Sequence, residues 1–587
     1  MSQQDKAEMA KYFYRVSAAD FMKIPGSPIA YWTTNGLISA FVNGELLSNI
    51  SIPRQGLATM DNARFTRIWH EISMSASSII SNHKGCKWFP YNKGGDFRKW
   101  YGNQEILVNW LENGHEIKQL AISRYGSASK RVVNEGSYFL PSITWSKISS
   151  SKPSFRYQPQ GAIFDVAGMS IFPSEDKFCE LITLLNSKLT LRILELLSPT
   201  LNFEAGHIGS IPVINSTTCF SNSFEKLVEL SKLDWDSYET SWKFNSLSLI
   251  KSDNNKSTLQ DSYQKLRIHW REITLEMQRL EEENNSILIH AYSLQEELTP
   301  EVPLNEITLT CNPYYRYGND KSEAELETLL KCDTIEELVS YAIGCMMGRY
   351  SLDKPGLILA SQGESLQDYL SQIPLARFVP DDDGILPLTD QEWFADDATN
   401  RFREFVRTAW GEKTLQENLD FIAESLCLHA IKPKKGEDST DAIRRYLSSQ
   451  FYKDHLKTYK KRPIYWLFSS GRHKAFECLV YLHRYNEGTL ARMRTEYVIP
   501  LTAKLNAHAS KLEKDIDASS STAEKKALEK QLATLHNQQA ELATFDEKLR
   551  HFADQRIRLD LDDGVKVNYG KFGDLLAEVN AITGDSQ

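Results

Sequence analysis

Seven apolar residues, Leu259, Tyr263, Leu266, Trp270, Ile273, Met277 and Leu280, recur at steps of four and three. Only a helix brings such positions onto one face, because about 3.6 residues complete a turn. The run predicts a helix of about 25 residues, about 38 Å long at a rise of about 1.5 Å per residue. A spacer between domains and an amphipathic core helix are both compatible with the pattern. A second pair of runs predicts an antiparallel helical hairpin. Leu501, Leu505, Leu512 and Ile516 line one helix, the Asp-Ala-Ser-Ser of residues 517–520 breaks it, and Leu528, Leu532, Leu535, Leu542 and Leu549 line the next. Ser521 and Glu524 have the capping-box spacing at the start of that second helix. Structural support or partner docking is the expected role of such a hairpin.

The chain divides around these helices. Residues 1–50 read as a connector, a short helix followed by Ile24-Pro25-Gly26-Ser27-Pro28, where the prolines forbid further helix. Residues 51–215 are rich in Trp, Tyr, Ser and Gly, carry short β-prone runs at 142–145 and 161–164, and close with an apolar helix over 181–189 before Ile211-Pro212-Val213. Residues 216–300 form the helical spacer, entered through a polar, turn-rich linker at 251–257. Residues 301–498 are mixed, acidic and helix-leaning, 499–552 hold the hairpin, and 553–587 are a C-terminal tail. The expected fold class is α+β: a mixed domain, a long helical spacer and a helix-rich C-terminal domain with an antiparallel helical hairpin.

The N-terminus has no apolar signal-peptide core, and no apolar run approaches the roughly 18 residues that span a bilayer. No membrane and a cytoplasmic location are expected. The eight cysteines, at 86, 179, 219, 311, 332, 345, 427 and 478, contain no Cys-x-x-Cys pair and read as buried thiols. The net charge of −9 speaks against nucleic acid until its distribution is considered. Residues 54–156 contain fifteen Lys or Arg against seven Asp or Glu, a local excess of eight that leaves −17 for the rest. A DNA-binding module within an acidic scaffold has that asymmetry, and so does a solvated basic surface.

The most unusual basic segment is 91–102, Tyr-Asn-Lys-Gly-Gly-Asp-Phe-Arg-Lys-Trp-Tyr-Gly. Adjacent glycines let backbone amides approach a phosphate, Lys93, Arg98 and Lys99 add charge, and Trp100 offers a stacking face. The segment lacks the Gly-Lys-[Ser/Thr] ending of a P-loop, so it reads as a DNA-contact loop, with a structural hairpin turn as the alternative. Upstream, Arg54 precedes Arg64 and Arg67, which share a face if helical and either contact phosphate or pair with Asp61 or Glu71. Arg124, Lys130, Arg131, Lys147 and Arg156 complete the candidate DNA-binding set. A further basic run places Lys453, Lys457, Lys460 and Lys461 at helical spacing before Pro463, a second candidate for backbone contact.

No catalytic motif is recognised in the sequence. Adenine amino-methyltransferases need an [Asn/Asp/Ser]-Pro-Pro-[Tyr/Phe] loop to hold the flipped base. The nearest text, Asn312-Pro313-Tyr314-Tyr315, has tyrosine for the second proline and no glycine-rich cofactor turn upstream. It reads as a structural Asn-Pro turn with packed tyrosines. The acidic runs 381–384 and 560–564 are turn-like and lack the nearby lysine of a metal-dependent nuclease, so no metal site is expected.

Taken in order, residues 24–32, 56–69, 89–102, 161–172, 185–212, 311–318, 344–363, 452–470 and 560–572 resemble the C-terminal portion of the PglX methyltransferases of BREX phage-exclusion systems, relatives of type IIG restriction-modification enzymes. The resemblance spans nearly the whole chain. It implies that residues 51–215 are a target-recognition domain on double-stranded DNA, serving a site-specific adenine methyltransferase that marks host DNA as self. It also implies that S-adenosylmethionine belongs to an N-terminal methyltransferase half outside this sequence, with no cofactor in this chain. That half, other BREX proteins and a phage-encoded inhibitor are the implied partners. A non-catalytic docking module of the defence complex is the alternative function.

Overall fold

The computed structural model describes residues 17–80, 85–149, 151–198, 200–214, 220–251 and 257–584. The first sixteen residues of the expected connector, most of the linker over 251–257 and Cys219 lie outside the described residues. The chain forms two compact units that alternate along the sequence. One draws on Met1–Thr66, Asn82–Trp235 and His269–Asp320, the other on Arg67–Ser81, Asp236–Ile268 and Lys321–Gln587. This division is not the expected series of consecutive segments. The periodic run does form a helix, Leu259–Ala291, 33 residues long, and the boundary between units falls within it. Its early residues pack in the second unit, where Asn418 Oδ1 accepts from Leu259 N at 2.7 Å and Arg267 pairs with Glu327. Its later residues supply Glu281, Asn284 and Asn285 to the first. It is a core helix at both ends.

The first unit is built on small sheets. Trp88–Asn92 runs antiparallel to Ile106–Asn109 and parallel to Ile163–Phe164. Ser142–Ser146 is the centre of an antiparallel sheet between Phe155–Gln158 and Gly168–Ile171. Leu57, Phe65, Tyr91, Val108, Trp110 and Ile117 meet in a buried core with Tyr138 and Phe164. Burial of large aromatic side chains is the main favourable term in such a core. The expected apolar helix at 181–189 is interrupted. Glu175–Leu185 ends at Asn186, whose carboxamide accepts from Phe155 N and donates to Phe155 O, and Ser187 then caps Lys188–Leu197.

The second unit is helix-rich around a three-stranded antiparallel sheet, with Glu477–Tyr481 between Ile385–Pro387 and Tyr465–Ser469. The hairpin is present as Ile499–Ala518 and Thr522–Asp554. Leu501, Leu505 and Leu512 are buried on the first helix, Leu535, Leu542 and Leu549 on the second. Ser521 Oγ accepts from Glu524 N, while Glu524 reaches back to Ser519 rather than closing the box. The first helix grows out of a π-helical stretch, Met493–Val498. The fold is thus α+β with a helical C-terminal region. Among the described residues no helix is long and apolar enough to cross a membrane, and no cluster of three or more His, Cys, Asp or Glu is placed to hold a metal. Cys86, Cys311, Cys332, Cys345 and Cys478 are buried, whereas Cys179 and Cys427 are partly exposed.

Candidate nucleic-acid interface

The eleven candidate DNA-binding residues of the 54–156 block separate into four groups. Arg98, Lys99 and Arg156 are buried, contrary to the phosphate contacts expected of them. Arg98 Nη2 pairs with Asp234 at 2.8 Å, its Nε donates to Tyr101 O and its Nη1 to Thr310 Oγ1. Lys99 pairs with Glu281 at 2.6 Å, and the same carboxylate accepts from Trp100 Nε1 at 2.8 Å. Arg156, 1% exposed, donates to Arg98 O and to Ser154, and burial lowers its pKa to about 10. A charge moved out of water needs such partners, and having them it is not available to a ligand.

The glycines of this segment are committed as well. Gly94 N donates to Asn92 Oδ1 at 3.3 Å and Gly95 N to Ser146 Oγ at 2.9 Å. Gly95 has φ +150, and a Cβ there would lie 2.6 Å from the Asn103 side chain. From Gly94 to Gly102 the segment is a structural clasp rather than a phosphate cradle, and of the DNA contacts expected within 91–102 only Lys93 keeps partial exposure.

Arg67 also leaves the expected set. Helix Asn62–Phe65 gives way to strand Thr66–Ile68, so Arg64 and Arg67 do not share a helical face. Arg67 belongs to the second unit, where Nε and Nη2 donate to Asp562 O at 3.0 and 2.6 Å. Glu71 Oε2 accepts from Val565 N nearby. The acidic run at 560–564 is therefore a turn that receives this segment.

Five of the remaining candidates gather along one ledge of the first unit. Lys93 Nζ donates to Asn62 Oδ1 at 2.5 Å, Arg124 Nη1 donates to Met60 O at 3.3 Å, and Ala58 N donates to Arg131 O at 2.9 Å. Arg64 stands beside Asn62 and pairs with Glu116 at 2.7 Å, both largely exposed. That ion pair, with help from Asn109, holds the Glu116 carboxyl below its ordinary range. Arg131 lies 4.0 Å over the Tyr125 ring, and Lys130 beside it is exposed. These five cationic residues thus lie on or beside the segment 58–65 and its neighbour 124–131. Arg54 and Lys147 stand apart by a cleft, Arg54 donating to Ser137 Oγ at 2.6 Å and Lys147 pairing with Glu204 at 2.9 Å. In the second unit, Lys453, Lys457, Lys460 and Lys461 are all exposed around helix Phe451–Thr458.

The turn at 311–318 does not fit a catalytic role. Asn312 is buried, donates through Nδ2 to Leu304 O and Ile307 O, and accepts from Tyr314 N as the cap of helix Pro313–Tyr317. Tyr315 donates its hydroxyl to Phe97 O at 2.5 Å. The carboxamide that would hold an adenine amine, and the aromatic that would stack on it, are both built into the first unit.

In sequence, the chain is homologous to adenine-specific methyltransferases over almost its entire length. Adenine-specific methyltransferase BrxX of Escherichia coli O9:H4 (strain HS) is 45% identical over 572 residues, which cover 97% of this chain and 46% of BrxX. Adenine-specific methyltransferase PglX of Lacticaseibacillus casei (strain Zhang) is 38% identical over 575 residues, 95% of this chain and 45% of PglX. The chain spans a little less than half the length of these curated relatives. No protein-family model matches the sequence.

Proposed function

We propose that this chain is the DNA-recognition and assembly part of a site-specific adenine methyltransferase of the BREX type, acting on duplex DNA so that a methyltransferase half can mark the host's sites. The observation that carries this reading is the ledge formed by Arg64, Lys93, Arg124, Lys130 and Arg131. Arg64, Arg124 and Arg131 are held by a neutral carbonyl or ring or by an exposed carboxylate, so a phosphate can replace water around them at little cost, whereas Lys93 also lies 3.7 Å from the buried Asp165 carboxylate. The names of the two relatives support the methyltransferase setting. S-adenosylmethionine would be held in the half that supplies the chemistry, because the Asn312 turn is committed to its own fold.

Purified chain is expected to retard duplex DNA in a gel, and to transfer no tritium from labelled S-adenosylmethionine until a methyltransferase half is added. Turnover by the chain alone would place an active site within it. Failure to retard DNA would favour the alternative, a docking module of the defence complex.

A further inference from the structure

A cleft of about 550 Å3 opens on the first unit, walled by Ile52–Gln55, Asn134 and residues 204–206. The backbone beneath it is fixed. Arg54 and Ser170 exchange main-chain bonds of 2.8 and 3.0 Å, and Leu57 N donates to Phe164 O at 2.8 Å. Between them Gly56 passes so close to the Phe164 strand that a Cβ would stand 1.9 Å from the Phe164 carbonyl oxygen. Gln55, flanked by these anchors, is exposed at the cleft.

The side chains are pre-oriented too. Arg54 Nη1 is tethered to Ser137 Oγ, and Asn134 Nδ2 donates to Gln55 O at 2.9 Å. Asn134 adopts φ +53, the left-handed region that asparagine tolerates better than most residues. Its Oδ1 and the Gln55 carboxamide have no hydrogen-bond partner among the described residues. Exposed Ile52 and half-buried Pro53 add an apolar wall.

We infer that this cleft reads the edge of a nucleobase in DNA held on the basic ledge, a reading that rests on the proposed DNA binding. Guanidinium and carboxamide groups are the side chains whose paired donors and acceptors match guanine O6/N7 and adenine N6/N7. A phosphate fits less well. Glu204 lines the same cleft, and its carboxylate, held ionised by Lys147, repels an anion while accepting from a base amine. The ledge and the cleft lie on the same two segments, since residues 54–65 and 124–137 run side by side through Asn134 to Gln55, Ala58 to Arg131 and Arg124 to Met60.

The test uses the full chain with a duplex pool carrying a randomised stretch, sequencing the bound fraction for wild type, Gln55→Ala and Asn134→Gly. Glycine keeps the left-handed backbone of residue 134. Wild type is expected to enrich a motif, and each variant to lose about 5- to 150-fold of discrimination at one position of it, the range of a single bidentate base contact. Affinity for bulk DNA and its salt dependence should stay unchanged. A motif retained intact by both variants, or a wild type that binds DNA without enriching any motif, overturns base reading and leaves DNA binding standing. A wild type that binds no DNA overturns both.

Discussion

The consequences of burial differ for two lysine and arginine pairs that look alike as text. Glu281 receives Lys99 and Trp100 inside the first unit, with both charged groups under a tenth exposed. Glu281→Gln leaves an uncompensated ammonium in the interior, a loss of about 3–5 kcal/mol of stability. Arg64→Gln removes an exposed ion pair with Glu116, a change within about 1 kcal/mol. Urea unfolding of the two variants measures the contrast, and equal midpoints would contradict the burial of Lys99. Neutralising Arg98 and Lys99 therefore tests folding rather than DNA binding. The local charge excess of residues 54–156 was visible in the sequence. Which cations face solvent was not, because Asp234 and Glu281 lie 136 and 182 positions away from Arg98 and Lys99. Gln55 and Asn134 are illegible in the sequence for a related reason: an uncharged amide shows no signal until the cleft around it is known.

At the scale of elements, the second unit encloses a group that no periodicity announces. His70 on a short 3-10 turn, His455 on helix Phe451–Thr458 and His483 just beyond strand Glu477–Tyr481 are buried around Arg349. Burial, reinforced by Arg349, lowers His455 and His483 to about 3 and His70 well below its ordinary value. Burial also pushes Glu239 up to about 7, Asp383 to about 7 and Glu336 to about 8. The signs are opposed. A histidine lowered by folding costs stability as pH falls through its unfolded value, since only the unfolded chain takes up the proton. An acid raised by folding costs stability as pH rises from its unfolded to its folded value, since only the folded chain keeps the proton.

Between roughly pH 4.5 and 6.5 the two sets offset each other. Below that window the histidines dominate, and from about 6.5 to 8 only the acids still titrate. Calorimetry from pH 4 to 8 should therefore show Tm falling on both sides of the window, with Glu239→Gln flattening the alkaline limb. An alkaline limb unchanged in that variant would contradict the burial of Glu239. Periodic elements were legible in advance, the long helix and the hairpin above all. Breaks in them were not. In helix Leu111–Tyr125, Glu112, Asn113 and Gly114 all adopt left-handed backbone, and Gly114 leaves no room for a Cβ beside the Trp110 ring. That turn is imposed by packing, which no single-residue propensity encodes.

Across the whole molecule, the alternation of the two units along the chain sets how it can be divided. A cut near residue 250 would take helix Leu259–Ala291 from the first unit, and with it the Glu281 partner of Lys99. The same cut would separate residues 67–81 from the partners that hold them in the second, including the Ile72 carbonyl bonded to His483. Neither fragment is expected to fold, and aggregation of both after expression would agree with this. Two stable, monomeric halves with native helix content would contradict it. The α+β class and helical C-terminal region could be read from composition and periodicity. The unit boundaries could not, because they depend on contacts between segments hundreds of residues apart. DNA binding is accordingly best tested on the undivided chain, by fluorescence anisotropy with a duplex over a salt series. Wild type is compared with Arg64→Gln/Arg124→Gln/Lys130→Gln, whose three sites lie at the surface. The account predicts weaker binding to every duplex, with the slope of log affinity against log salt reduced by about 0.9 for each phosphate that is no longer neutralised. Affinity and slope equal to those of wild type would contradict it.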